Sequence, residues 1–287
     1  MKKQSDTNKI KLGTYDAFND ATAWDDKTSQ QWVDILNVRA SSPDQVRLRE
    51  RLIQLADLSK GDTAIEIGCG TGALLCDIAK EVGNNGRVIG IEPQPAFAQS
   101  AIHNLSMAGY GKISEVLIES ADKLSLESQS AAVCFAQSVL IHLPDDILQK
   151  TLLEMIRTVR QGGRVISVDQ DGDTWIIDHP NRDLTRRIVQ FNSDQRYADG
   201  WTGRRLRRFF LKAGLINVDV QAWPHIDTEP ESYLYSMAMR IAEAASEAGA
   251  ISTSEYDAWV HQLHESALAN NFFSSINFYI CTGIRPF

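Results

Sequence analysis

The chain has few cysteines, and none of them has the spacing of a metal or redox site. Only four occur among 287 residues, no two form a CxxC pair, and the His and Cys residues lack zinc-site spacing. His261 and His264 lie one helical turn apart, and two histidines alone make a weak case for a metal site. These absences exclude a disulfide framework and predict a reduced, intracellular protein without a bound metal.

Long apolar runs and an excess of basic residues are also missing. No apolar stretch approaches the roughly 20 residues that span a bilayer, and the first residues are polar, unlike a signal peptide. The formal net charge of -8 argues against charge-driven binding to nucleic acid. We therefore expect a cytoplasmic protein with neither a membrane nor a nucleic acid as partner; a homodimer is left open.

What the chain does have is a regular alternation of strand-like and helix-like segments between Thr63 and Val168. Short apolar strands that alternate with amphipathic helices are typical of a parallel sheet covered on both faces. The predicted strands are Thr63–Ile67, Arg87–Ile91, Ser114–Ile118, Ala132–Gln137 and Gly163–Val168, with two later ones at Ile216–Trp223 and Ile276–Thr282. The fold class predicted is α/β, a doubly wound, mostly parallel, seven-stranded sheet.

The segments on either side of this alternation read mainly as helices. We expect a mobile tail and a helical segment in residues 1–58, a nucleotide-binding core in 59–170, and completion of the sheet with a helical lid in 171–287. A weak helix is expected around Ala121–Leu126, and the Gly162-Gly163 pair is expected to end a helix. The aromatics before the core, Tyr15, Phe18, Trp24 and Trp32, are expected to pack, and one of them could touch the cofactor.

A glycine-rich loop carries the strongest chemical signal. Gly68, Gly70 and Gly72 follow an apolar strand and precede a helix, so backbone N–H groups at a helix N-terminus can approach a ligand closely. The loop also fits a looser dinucleotide fingerprint, and alone it does not separate S-adenosylmethionine (SAM) from NAD. Glu66, which could meet an ammonium group, and nearly sixty residues before the first strand favour SAM.

With Glu92 at the end of the second strand, where an acid can accept both ribose hydroxyls, the sequence resembles the class I SAM-dependent methyltransferases. The similarity is to their small-molecule, ubiquinone-biosynthesis-like branch with a Rossmann-like fold, strongly over residues 45–170. The resemblance implies a first motif around the loop, a ribose acid, an adenine contact and a polar residue facing the methionine half of SAM. The corresponding cofactor-binding residues are Glu66, Gly68, Cys69, Gly70, Gly72, Glu92, Pro93, Ala121, Asp122 and Gln137.

Three residues are candidates for catalysis. His142 follows the fourth strand and could act as a base, orient a substrate or simply pack. Asp171 follows the fifth strand, where it could hold a substrate amine or accept a proton and Trp175 could partly desolvate it. Tyr197 lies further along the chain. Beyond them, the arginines 204, 205, 207 and 208 are expected to form a solvated helix face, with anion binding as the alternative.

The predicted function is transfer of a methyl group from SAM to O, N or C of a small-molecule metabolite, with secondary metabolism left open as its setting. No Asn-Pro-Pro-Tyr motif is present, which disfavours nucleic-acid bases and glutamine amides as acceptors. Two alternatives stay open, an NAD(P)-dependent oxidoreductase on a related fold and a SAM-binding protein that does not methylate.

Overall fold

A computed structural model describes Asp16, Phe18 and residues 21–287. The predicted N-terminal tail and Tyr15 lie outside the described residues. Among the described residues, no helix is long and apolar enough to cross a membrane. Within the same part of the chain, no group of three or more His, Cys, Asp or Glu side chains is arranged to bind a metal ion.

Helices form where apolar residues recur at helical spacing and a capping residue starts them. Asp25 accepts the Thr28 N–H at the start of the first helix, Pro43 occupies the first turn of the second, and Ser252 with Glu255 forms a capping box before the last. The helices are α1 Asp26–Ser41, α2 Pro43–Ala56, α3 Ala73–Val82, α4 Pro95–Met107, α5 Asp145–Thr158, α6 Arg182–Gln195, α7 Thr202–Lys212, α8 Tyr233–Glu247 and α9 Thr253–Leu268.

The strands are β1 Thr63–Ile67, β2 Arg87–Ile91, β3 Ser114–Leu117, β4 Ala131–Gln137, β5 Val159–Gln170, β6 Ile176–Ile177, β7 Ile216–Asp227 and β8 Ser274–Ile284. In the described part of the chain these eight join one sheet, in the order β3-β2-β1-β4-β5-β8-β6, with β7 paired to β8. The strands β1 to β5 pair in parallel, whereas β8 runs antiparallel to β5, β6 and β7. The predicted fold class is confirmed, with one two-residue strand, β6, that the sequence analysis did not predict.

Both faces of the sheet are buried, as a parallel sheet requires. Ala64 of β1 belongs to a core cluster that includes Leu75 and Trp259, whereas its neighbour Ile65 belongs to a second cluster that includes Phe210. Successive strand residues therefore face opposite helical layers. This arrangement leaves the carboxyl ends of β1, β2, β4 and β5 at one edge, where ligands bind in open α/β sheets.

Two local predictions are wrong. The segment around Ala121–Leu126 contains turns and no helix. The Gly162-Gly163 pair lies within β5 rather than at a helix end, because α5 already ends at Thr158. A Cβ on Gly163 would lie 2.6 Å from the carbonyl oxygen of Ala132 on the neighbouring strand, so that glycine permits close strand pairing.

Candidate active site

A cavity of about 320 Å³ lies at the carboxyl edge of the sheet. Its lining comes from the loops after β1, β2 and β4, from the end of β5, and from α1 and α8, which cover the edge. Ten of the thirteen residues predicted as site residues line it. These are Glu66, Gly68, Cys69, Gly70, Glu92, Pro93, Ala121, Gln137, His142 and Tyr197.

The glycine loop turns sharply because its backbone adopts left-handed conformations, which residues with a Cβ disfavour. Gly68, Gly70 and Gly72 all have positive φ, and a Cβ on Gly68 would lie 2.5 Å from Cγ2 of Val139. Gly72 does not line the cavity; its Cα faces Ala101 of α4, where a Cβ would lie 3.0 Å from that residue. Gly68 and Gly70 thus shape the cavity floor, whereas Gly72 allows α3 and α4 to pack closely.

Glu92 is a buried acid that organises the loop. Its carboxylate accepts hydrogen bonds from the N–H groups of Gly70, at 2.9 Å, and Gln94, at 3.0 Å. Burial raises the pKa of Glu92 to about 7, although these two N–H groups lower it. The carboxylate keeps further lone pairs for a ligand's hydroxyl groups, which suits the predicted ribose contact.

Glu66 supplies the cavity with an unsatisfied acid. Its Oε2 is buried and has no hydrogen-bond partner among the described residues, and burial raises its pKa well above the ordinary value, although Arg49 lowers it. A buried acceptor without a partner is costly unless a ligand supplies a donor. The cavity wall at Glu66 therefore fits the ammonium group of SAM.

At the predicted adenine end, only one of the two expected residues reaches the cavity. Ala121 and its neighbour Ser120 line the cavity, but Asp122 does not. The Asp122 carboxylate accepts a hydrogen bond from the Ser120 hydroxyl at 2.5 Å. Its direct contact with adenine stays a prediction.

A carboxylate–imidazole pair also lines the cavity. Nδ1 of His142 lies 2.7 Å from Oδ2 of the buried Asp16, and the ring packs edge-on against Phe18 and Tyr197, with centroids 4.7 and 5.4 Å away. His142 sits on the single 3-10 turn Leu140–His142 after β4. Asp16, His142 and Tyr197 therefore form one cluster.

Tyr197 presents a protonated phenol to this cluster. Its oxygen accepts a hydrogen bond from Nε2 of Gln170 at 2.6 Å, which leaves its own O–H free to donate. Burial raises the pKa of Tyr197, with a smaller contribution from Tyr233. Tyr197 is therefore suited to orient a ligand and not to remove a proton.

The structure gives Asp171 a different role from the predicted one. Asp171 is fully buried outside the cavity lining, and both of its carboxylate oxygens accept hydrogen bonds from Arg204. The interpretation of Asp171 as a base in the cavity is corrected, because an ion-paired carboxylate outside the cavity cannot reach a substrate. Arg205 pairs with Asp199 in the same way, so the arginine-rich helix face is only partly solvated.

Several cavity residues escaped the sequence analysis. They are polar or charged side chains on the helices that cover the sheet edge, and on the segment before α1. The clearest are Asp16, Arg39, Gln45 and Tyr233. Nη2 of Arg39 donates to Oγ of Ser138 at 2.5 Å, and its guanidinium lies over the Tyr233 ring at 5.5 Å. No motif marks such residues, because their position depends on how the helices pack over the sheet.

Comparison with known proteins decides the family. The profile of a family described as "Methyltransferase domain" matches residues 58–214, more than half of the chain. The chain belongs to this family. The predicted methyltransferase domain is confirmed, and the oxidoreductase alternative is set aside.

A relative of named function agrees with this assignment. A demethylmenaquinone methyltransferase of Desulfitobacterium hafniense is 31% identical over 136 residues, which are 47% of this chain and 53% of that protein. An uncharacterised 37.1 kDa transposon protein of Streptomyces fradiae is 28% identical over 233 residues, 80% of this chain and 64% of that one. This chain thus spans less than two thirds of the length of either relative.

A solved structure supports the fold alone. A putative methyltransferase from Bacillus halodurans superimposes with a TM-score of 0.57 at 13% identity, covering 83% of this chain and 99% of that one. The menaquinone relatives fit the predicted ubiquinone-biosynthesis-like branch.

Proposed function

We propose that this protein transfers the methyl group of SAM to a small-molecule metabolite whose O–H, N–H or acidic C–H nucleophile arrives protonated. The observation that carries the proposal is that one cavity joins the SAM-type residues, Glu66 and Glu92, to the Asp16–His142 pair. A relative named for demethylmenaquinone supports a small acceptor.

SAM, when bound, supplies an electrophilic methyl group on a sulfonium. The residues of the chain then have to bind, to orient and to remove a proton. Glu66 accepts from the ammonium group and Glu92 from the ribose hydroxyls, so both acids fix the cofactor. Orientation of the acceptor within the cavity supplies much of the rate enhancement, because methyl transfer needs an in-line approach.

His142 is the proposed general base. The Asp16 carboxylate accepts a hydrogen bond from the Nδ1–H group of the ring, which leaves Nε2 as the atom that can take a proton from the acceptor. The same carboxylate stabilises the imidazolium that forms, in the manner of other carboxylate–imidazole pairs. Tyr197, packed against this ring, is proposed to donate a hydrogen bond that positions the acceptor.

The test uses the full chain with methyl-deuterated SAM and a panel of hydroxylated, aminated and 1,3-dicarbonyl metabolites. We expect a product with three added deuterium atoms together with S-adenosylhomocysteine (SAH). His142→Gln should lower kcat by about 10²-fold or more, the range for a general base, and leave SAH affinity within about twofold. His103→Gln, which changes an exposed histidine outside the cavity lining, is the control.

SAH binding without methyl transfer to any class in the panel would favour the alternative of a SAM-binding protein that does not methylate. The cytoplasmic location, the lack of a nucleic-acid partner, the homodimer and the three-segment division of the chain stay predictions.

A further inference from the structure

Three side chains form a hydrogen-bonded chain that runs from the cavity wall into the core, and a fourth, Asp227, lies beside its inner end. Nε2 of Gln137 donates to Oε1 of Gln45 at 3.1 Å, and Nε2 of Gln45 lies 3.1 Å from Nδ1 of His225. Nε2 of His225 lies 3.2 Å from Oδ2 of Asp227. Gln137 and Gln45 line the cavity, whereas His225 is fully buried on β7.

Asp227, beside the inner end, determines which atoms donate and which accept along this chain of hydrogen bonds. Burial raises the pKa of Asp227, but the nearby His225 ring and the Leu234 N–H, which donates at 2.8 Å, leave it below the ordinary value. A carboxylate can only accept hydrogen bonds, so the His225 nitrogen that faces it carries the proton. In the neutral ring the other nitrogen, Nδ1, must then accept.

The same logic continues outward to the cavity. Since Nδ1 accepts, Gln45 turns its amide NH₂ toward His225 and its carbonyl oxygen toward Gln137. Gln137 in turn must donate with Nε2, which leaves its Oε1 as the atom available to the cavity. No hydrogen bond from the described residues reaches this oxygen in the structure.

We propose that His225 and Asp227 are positioning residues that act through Gln45 to hold Gln137 with its Oε1 toward the cavity. There Oε1 accepts a hydrogen bond from an N–H or O–H group of a bound molecule. The inference rests on the proposed function, since it concerns the same cavity. Two molecules carry such a donor, SAM through its ammonium group and the methyl acceptor through an amine or hydroxyl.

Isosteric variants separate the relay from the residue it positions. Gln45→Met interrupts the chain of hydrogen bonds but keeps the Gln137 side chain, and Gln137→Met removes the hydrogen-bond acceptor Oε1. Each variant should lower the affinity for the ligand that donates to Oε1 by roughly 10-fold, the loss of one hydrogen bond. Gln137→Glu keeps an oxygen toward the cavity and should bind that ligand more tightly than Gln137→Met. Gln54→Met, an exposed glutamine on the same helix, is the matched control.

Two arms identify the donor. In the cofactor arm, calorimetry compares SAH with an analogue that lacks the amino group; if the ammonium is the donor, only SAH loses affinity in Gln45→Met. In the acceptor arm, the KM of the acceptor rises in Gln45→Met while SAH affinity stays within about twofold. If the relay had a purely structural role, Gln45→Met would weaken the binding of SAH, of the analogue and of the acceptor to the same extent.

A ligand-independent measurement tests the relay itself. Nitrogen-15 NMR of the wild-type full chain should show His225 protonated on Nε2 and not on Nδ1, and this result does not depend on methyl transfer. A proton on Nδ1, or unchanged SAH affinity and acceptor KM in a folded Gln45→Met variant, would overturn the proposal. Weaker binding by Gln137→Glu than by Gln137→Met would overturn it too, because the cavity would then require a donor. Failure of the proposed function alone would appear as absent methyl transfer with the SAH and NMR results intact.

Discussion

Oδ2 of Asp16 lies 2.7 Å from Nδ1 of His142, although 126 residues separate the two in sequence. Asp16 belongs to the segment before α1, and His142 to the turn after β4. The contact lies next to a cluster of aromatic rings in which Trp24 and Trp32 stack with their centroids 5.6 Å apart. The Asp16 carboxylate therefore orients the ring of the proposed base.

Replacement of this carboxylate tests its role in catalysis. Asp16→Asn retains the size of the side chain but removes the charge that stabilises an imidazolium. We expect kcat to fall by about 10- to 100-fold, within the range of a general base and its partner, while SAH affinity changes by less than about threefold. Steady-state kinetics and calorimetry measure the two quantities. Asp26→Asn, an exposed acid on α1, is the control; an equal loss of SAH affinity in Asp16→Asn would instead assign Asp16 to cofactor binding.

The SAM half of the site could be predicted from sequence because short local patterns specify it. A glycine loop after one strand and an acid at the end of the next lie where those strands end, so Gly68 and Glu92 line the cavity as expected. The acceptor half depends on helices that pack over the sheet edge, and Gln45 carries no local signal of its contact with Gln137. The predicted catalytic role of Asp171 failed for the same reason, because its ion-pair partner Arg204 is 33 residues away in sequence.

Cofactor binding should release a proton from Glu92. Its pKa is raised to about 7 from an ordinary 4.5, so the folded, ligand-free protein holds this proton at a pH where a free carboxyl has lost it. Ribose hydroxyls donate to the ionised form, and binding at pH 6 to 7 should therefore release protons. Calorimetry of SAH binding in buffers of different ionisation enthalpy should detect this release, and SAH affinity should rise as the pH increases through 7.

Glu92→Gln should reduce both the proton release and the pH dependence, with Glu66 accounting for what remains. Glu115→Gln, an exposed acid on β3, should behave like the wild type. Equal proton release by Glu92→Gln and the wild type would show that Glu92 is already ionised before the ligand arrives.

The ion pair between Arg204 and Asp171 should contribute to stability and not to chemistry. Arg204→Gln leaves a buried carboxylate without its cation, and we expect the free energy of unfolding to fall by roughly 1–3 kcal/mol, below the value for a fully buried pair because Arg204 is partly exposed. The double variant Arg204→Gln with Asp171→Asn should recover much of this loss, since the uncompensated charge is gone. Urea denaturation measures the change. A folded Asp171→Asn variant with a 100-fold lower kcat would contradict this assignment and restore Asp171 as a base.

Gly72 should act through packing between two helices. It has a φ of +83°, and a Cβ there would lie 3.0 Å from Ala101 of α4. Gly72→Ala should therefore lower the free energy of unfolding by roughly 1–3 kcal/mol, through backbone strain and a steric clash together. Gly214→Ala is a matched control, because Gly214 has a φ of +90° but no atom within 4 Å of the added carbon. The difference between the two variants in urea denaturation isolates the contact with α4. Since Gly72 lies outside the cavity lining, the folded Gly72→Ala protein should bind SAH within about tenfold of the wild type; loss of SAH binding without loss of stability would instead place the Gly72 backbone in contact with the cofactor.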